Sequence, residues 1–218
     1  MATSPLINRL IPTVAPRLPS SPQPPDKLYL EQLNNVLRLY FNQIDGTLGP
    51  LISGQGGRFL NLPYGAFSSY VSQSMTVANT ATKVAMTQTD FSNGVSLSSS
   101  SMVVTNPGIY NMQFSVQVQN LQNSPQDVYI WLKQNGVDII GSTGKVGMEA
   151  RKSPADPSHD IKGWNYFLSM NANDSVEIWW SATDVLVTIP SYIASILPTK
   201  PSTASVVATM TFVSALPA

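Results

Sequence analysis

The run Ser158-His159-Asp160 sets a hydroxyl, an imidazole and a carboxylate side by side. These are the groups of a nucleophile, a general base and the acid that orients it. In a hydrolytic triad they meet in space from separate segments, and neighbours on one loop do not reach that geometry. The run lies in KSPADPSHDIKG, whose Pro, Asp and Ser content reads as an exposed loop. Asp156, Asp160, Asp174, Glu177 and Asp184 raise a second chemistry, a hydrolytic carboxylate pair or a cation site. Asp174 falls in the turn NAND, and Glu177 alternates outward from Val176 and Ile178, so both read as solvated. Gly54, Gly56 and Gly57 in SGQGGR have no strand before them and no basic residue at the P-loop position. They read as a flexible linker, not an anion loop. One histidine and no cysteine leave no multi-histidine site, no thiolate metal site and no disulfide framework. No catalytic, cofactor-binding or metal residue is assigned, and an enzyme is the disfavoured class.

The four tryptophans, Trp131, Trp164, Trp179 and Trp180, lie close together in sequence. Exposed, they would suit sugar stacking; core or interface is the plainer reading, because Trp buries most of its area. Trp179 and Trp180 are consecutive, so in a strand they point to opposite faces. One of them lies outside the core, and Trp179 is taken as an interface candidate.

The remaining composition narrows the partners. Net charge is zero and 11% of residues are charged, against a usual ~25%. Phosphate binding needs a basic face, so nucleic acid is not the expected partner. No run of apolar residues is long enough to span a bilayer. The N-terminus lacks the basic and apolar regions of a signal peptide, and the protein is expected to be made in a cytoplasm.

Four zones follow along the chain. Residues 1–25 hold seven of the seventeen prolines and favour extended conformation. Leu6, Ile7, Leu10, Ile11, Val14 and Leu18 give this arm apolar pegs for docking on its own oligomer or another protein. Residues 26–46 predict a short helix, with Asp26 as N-cap and Gly46 as stop. Leu30, Leu33, Leu37, Tyr40 and Ile44 space as an a/d seam. The seam fits packing on the chain's own domain or a short trimeric stalk. Residues 47–63 read as a Gly-rich linker. From 64 to 218 the period becomes two, with candidate strands in AFSSYVSQSMTVAN, KVAMTQT, VSLSSSSMVV, GIYNMQFSVQVQN, DVYIWLKQNG, GWNYFLSM, SVEIWWSA, DVLVTIP and ASVVATMTFVSA. Short strands with such turns predict a mainly β chain, an antiparallel jelly-roll sandwich of about ten strands.

The strand GIYNMQFSVQVQN alternates Tyr110, Met112, Phe114, Val116 and Val118 with Asn111, Gln113, Ser115, Gln117 and Gln119. Its second face carries amides and a hydroxyl and no charge. In the last strand Val207, Thr209, Thr211 and Val213 form a neutral second face, as if another subunit covered it.

The order of these strands resembles the complement-globular-head and tumour-necrosis-factor-like jelly roll. The matching features are Gly108-Ile109-Tyr110 after a Pro/Gly turn, a strand ending in Asn135-Gly136, two aromatic strands around Asp174, and the apolar C-terminal strand. The resemblance covers roughly 64–215 and implies a compact trimer whose inner sheet, with the Gly-x-Tyr strand, faces the threefold axis. It puts Tyr110, Met112, Phe114, Val116 and Val118 in the core. Asn111, Gln113, Ser115, Gln117 and Gln119 then face neighbouring subunits, and Leu30, Leu33, Leu37, Tyr40, Ile44, Trp179, Val207, Thr209 and Thr211 complete the expected interface. With the arm and helix, the whole is similar to small bacteriophage virion proteins. The expected function is a homotrimeric capsid decoration or cement protein, or a short head fibre, residing in the virion and held by its arm to the major capsid protein or another virion protein. The alternative is the receptor-binding tip of a tail fibre or spike, reading host glycan or protein. A secreted-type ligand or adaptor is disfavoured by the missing signal peptide.

Overall fold

The computed structural model describes residues 14–20, 26–52 and 62–216, the side chains of 50–52 aside. Leu6, Ile7, Leu10, Ile11, Gly54, Gly56 and Gly57 lie outside the described residues. The chain divides into two units, Met1–Asn61 and Leu62–Ala218.

In the first unit, residues 14–20 have no regular secondary structure, and Val14 and Leu18 are exposed. The helix α1 spans Lys27–Ile52. Asp26 caps it as expected: the Tyr29 amide donates to Asp26 Oδ1 at 2.7 Å. The expected stop at Gly46 is not one. The helix runs six residues further, through part of the expected linker. Glycine only weakens a helix by its conformational entropy, and the left-handed turn that would make Gly46 a C-cap is not adopted: its φ is not positive. Leu33, Val36, Leu37, Tyr40 and Ile44 are half-buried, while Leu30, Leu39 and Phe41 are exposed. No described side chain of α1 is buried. A Cβ at Gly46 would meet nothing within 4 Å. Gly46→Ala should therefore stabilise the helix by about 0.5–1 kcal/mol. Hydrogen exchange of the α1 amides, read by mass spectrometry, should slow by roughly two- to fivefold.

The second unit is an antiparallel β-sandwich with the winding of a jelly roll. One seven-stranded sheet holds β1 (Tyr64–Ser69), β2 (Gln73–Ser74), β4 (Gln88–Asn93), β7 (Gly108–Asn120), β11 (Ser158–Met170), β13 (Val187–Ile189) and β16 (Val206–Ser214). The other holds β3 (Thr82–Lys83), β5 (Val95–Ser98), β6 (Ser101–Val104), β8 (Gln126–Gln134), β9 (Val137–Asp138), β10 (Gly144–Met148) and β12 (Ser175–Ala182). A small hairpin pairs β14 (Ser195–Ile196) with β15 (Thr199–Lys200). The first sheet runs β4-β1-β16-β7-β11 and the second β5-β6-β12-β8-β10. Main strands β6, β7, β8, β11, β12 and β16 thus cross between the layers at most connections.

Three predicted strands are subdivided. VSLSSSSMVV is a hairpin of β5 and β6, turned at Ser99 and Ser100 with φ of 48° and 61°. AFSSYVSQSMTVAN holds β1 and β2, and KVAMTQT begins on the last residue of β3 and ends in β4. β11 is longer than GWNYFLSM: it starts at Ser158, directly after Pro157, so His159 stands in a strand and not in a loop. Thirteen residues of β11 pair in register with all of β7.

The core is the space between the sheets. Tyr110, Met112, Phe114, Val116 and Val118 of β7 are buried there, with Val128, Ile130 and Leu132 of β8 and Val176, Ile178 and Trp180 of β12 facing them. Each such side chain contributes roughly 1.5–3 kcal/mol by leaving water. Gly108 opens the Gly-x-Tyr strand for a packing reason. A Cβ there would lie 2.3 Å from the Phe212 ring, which instead meets Tyr110 edge-on at 5.6 Å. Burial raises the Tyr110 phenol, whose hydroxyl donates to the Asn106 carbonyl at 2.8 Å.

Candidate functional site

The outer side of the first sheet is the candidate site, a surface built by strand alternation. With Tyr110 to Val118 turned inward, β7 must present Asn111, Gln113, Ser115, Gln117 and Gln119 outward. Register fixes their neighbours. Asn111 lies between Phe167 and Thr211, Gln113 between Asn165 and Thr209, and Ser115 between Gly163 and Val207. Gln117 is beside Ile161, and Gln119 stands between His159 and Thr188. None of these outward positions on β7, β11 and β16 holds Asp, Glu, Lys or Arg. Phe167, Ile161 and Val207 are 57%, 61% and 40% exposed on it. The Oδ1 atom of Asn111 is buried without a hydrogen-bond donor.

A shallow depression of about 260 Å³ interrupts the face, lined by Gln113, Phe114, Ser115, Val207 and Thr209. Gly163 borders Ser115 in register. A Cβ at Gly163 would stand 2.2 Å from the Phe114 carbonyl oxygen, so β11 can approach β7 here only without a side chain.

The opposite outer face, on the second sheet, is an ordinary charged surface. Lys83 and Glu177 pair at 3.0 Å, Lys145 and Asp127 at 2.9 Å, and Lys133 and Asp138 at 3.4 Å. Trp179 belongs to this face. Its indole N–H donates to Glu177 Oε2 at 2.7 Å, and Lys133 sits 4.2 Å over its ring. Trp180 is the inward member of the pair, fully buried. Of the expected interface residues, the structure brings together Asn111, Gln113, Ser115, Gln117, Val207, Thr209 and Thr211. It puts Trp179 on the far side of the sandwich. Alternation distinguishes inside from outside; it does not say which of two sheets an outward residue belongs to. Leu30, Leu33, Leu37, Tyr40 and Ile44 lie on α1, in the other unit.

The candidate acids and bases are scattered and each has a local partner. His159 Nδ1 lies 2.9 Å from the Tyr192 hydroxyl, which is also 2.9 Å from Gln119 Oε1. Asp160 pairs with Lys162, and Asp184 accepts from Gln122 at 3.0 Å. Asp156 lies 3.9 Å from Lys152. Burial pushes the Glu177 carboxyl up, but hydrogen bonds from Trp179, Lys83 and Ser101 and the Lys83 charge outweigh it and hold it below its ordinary range. Among the described residues no group of His, Cys, Asp and Glu could hold a metal ion, and no helix is long and apolar enough to cross a membrane.

Asp174 is a structural turn residue. The Asn171 amide donates to it at 2.7 Å, and Asn135 and Gln134 donate at 2.8 and 3.1 Å. Chiefly the Asn171 bond, against a smaller effect of burial, holds its pKa below the ordinary 3.8. A lowered folded-state pKa stabilises above the unfolded value and is lost as pH falls through the folded one. Asp174→Asn should cost about 1 kcal/mol at pH 7, at the low end for charged hydrogen bonds because the turn is solvated. Denaturant titrations should show the gap to wild type closing as pH drops below 3.8.

The chain matches no family model and no curated protein.

One further feature was not anticipated: the segment between β13 and β16, which presents Ile193, Ile196 and Leu197 to solvent. Its sequence signal is SYIASILP, three aliphatic residues inside a stretch bounded by prolines.

Proposed function

We propose that this chain is a non-enzymatic structural protein of a virion, a homotrimeric capsid decoration or cement protein or short head fibre. Its N-terminal arm attaches it to the major capsid protein or another virion protein. The observation that carries the reading is the contrast between the two faces of the sandwich. One is laced with ion pairs, while on the other the strands β7, β11 and β16 join amides, hydroxyls and exposed Phe167, Ile161 and Val207 without charge. A face repeated around a threefold axis has reason to be uncharged, because like charges repel and are costly to desolvate. Amides donate and accept, so three copies can bond to one another. The Gly-x-Tyr strand β7 is an interior strand of that sheet, paired to β16 on one side and β11 on the other, which agrees with the resemblance to the tumour-necrosis-factor-like head. A phage virion as the setting rests on that resemblance and on the arm and helix. Three copies of one arm give avidity, so individually weak contacts suffice.

Light scattering or native mass measurement of the purified chain should give a trimer, and labelling of particles should place it on the capsid shell. Removing residues 1–25 should abolish capsid attachment and leave the trimer intact. A monomer at micromolar concentration, or normal attachment after truncation, would sink the reading. The alternative, a receptor-binding tip, is favoured by one observation. A recess of about 390 Å³ beside Tyr192 is lined by uncharged groups, among them Ser74, Gln119, Thr188 and Ser191. Glycan binding together with a tail position would select it.

A further inference from the structure

The segment from Pro190 to Ser205 is a braced hairpin. At its base Tyr192 and Thr203 exchange both backbone hydrogen bonds, at 3.1 and 2.7 Å. The Tyr192 hydroxyl ties the base to Gln119 and His159 on the uncharged face. Near the tip, Thr199 Oγ1 donates to the Ile196 carbonyl at 3.0 Å, and Lys200 Nζ donates to the Ile193 carbonyl at 2.7 Å. Yet Ile193, Ile196 and Leu197 are 86%, 84% and 87% exposed. An ordered hairpin that holds three large aliphatic groups in water marks an interaction site.

The chemistry of the tip selects among occupants. Lys200 is the hairpin's single charge and is tied to its own backbone. A lipid surface is ordinarily met with a cluster of basic residues, which is missing here. The same chain carries a fitting receptor: the uncharged depression between Gln113, Ser115, Val207 and Thr209. An apolar knob and a hole elsewhere on one surface form a head-to-tail contact, which closes into a ring when the rotation permits. We propose that the hairpin is an inter-subunit clasp, with the Ile196–Leu197 tip of one copy seated in the depression of the next. This rests on the trimer reading and adds how neighbouring copies are locked.

The chain has no cysteine, so introduced thiols report without background. Leu197→Cys combined with Val207→Cys should give covalent trimers on mild oxidation, joined by disulfides between the two introduced positions of different copies. Mixed isotope-labelled subunits identify such bonds as intermolecular. Each single variant should give nothing above a dimer. Ile196→Ser with Leu197→Ser should raise the dissociation concentration at least tenfold, with the near-UV circular dichroism of the fold unchanged. Wild-type mass is read first, and a monomer overturns the trimer reading and the clasp together. A trimeric wild type with unaltered dissociation of the serine variant and no covalent trimer overturns the clasp alone. Binding of wild type, but not of the serine variant, to phosphatidylglycerol vesicles would assign the tip to lipid instead.

Discussion

Trp180→Ala should lower the free energy of unfolding by about 3–5 kcal/mol, the cost of emptying a large core site that relaxes only in part. Trp180 is fully buried between the sheets, opposite Ile130 and Thr82 in register. Total stability for a domain is about 5–15 kcal/mol, so this one change removes a large fraction of it. The indole N–H of Trp180 has no acceptor. An unpaired buried donor is itself unfavourable. Trp180→Phe, which deletes that donor and keeps a ring, should therefore cost roughly half as much or less. Trp179→Ala removes a partly exposed ring with one hydrogen bond and one lysine contact. It should cost about 1 kcal/mol and leave the oligomer mass unchanged. Urea midpoints at fixed protein concentration, with mass measured alongside, separate the three variants. Equal costs for Trp179→Ala and Trp180→Ala would contradict the facing of β12.

Gln113→Glu should dissociate the proposed trimer while leaving each subunit folded. Gln113 points outward from the middle of β7, beside Asn165 and Thr209. Three carboxylates about 8 Å apart around an axis repel by roughly 2 kcal/mol per pair at an effective dielectric constant of about 20. Summed over the three pairs, that lowers the overall association constant by about four decades. The effect depends on ionisation. Repulsion raises the carboxyl pKa in the assembled state, so assembly should return as pH falls toward and below about 4.3, the ordinary glutamate value. Sedimentation across pH reads both arms. An unchanged trimer at pH 8 would show that the uncharged face is merely solvated.

The alternation of β7 was fully legible, because burial on one side only forces a period of two. Asn135-Gly136 was legible too; with φ of 51° and 79° it forms the hairpin turn those residues favour. Ser99-Ser100 makes a comparable turn without glycine or asparagine, so VSLSSSSMVV gave no sign of bending. The start of β11 was obscured because Pro154 and Pro157 read as loop, although a proline directly before an edge strand costs no ladder hydrogen bond. Trp179 shows the limit of pattern reasoning. Its outward direction follows from Trp180, but its sheet is decided by long-range pairing with β8. The charge contrast between the faces is likewise a property of the folded pairings and not of any one segment.

The long pairing of β11 has a cost that the fold answers with charge. Among the described residues β11 pairs with β7 alone, so its other side carries a row of backbone donors and acceptors with no strand partner, of which the Ile161 amide donates to Asp160 Oδ1 at 2.8 Å. Such a row is a template for fibril growth. The positions opposite Val118 and Val116, where alternation would otherwise continue an apolar stripe, hold Asp160 and Lys162 instead. The two pair with each other, and an incoming strand would have to desolvate both. Valine at both positions would complete the stripe and expose a sticky, templating strand. At this end of the sandwich, charge serves to keep concentrated copies from seeding one another.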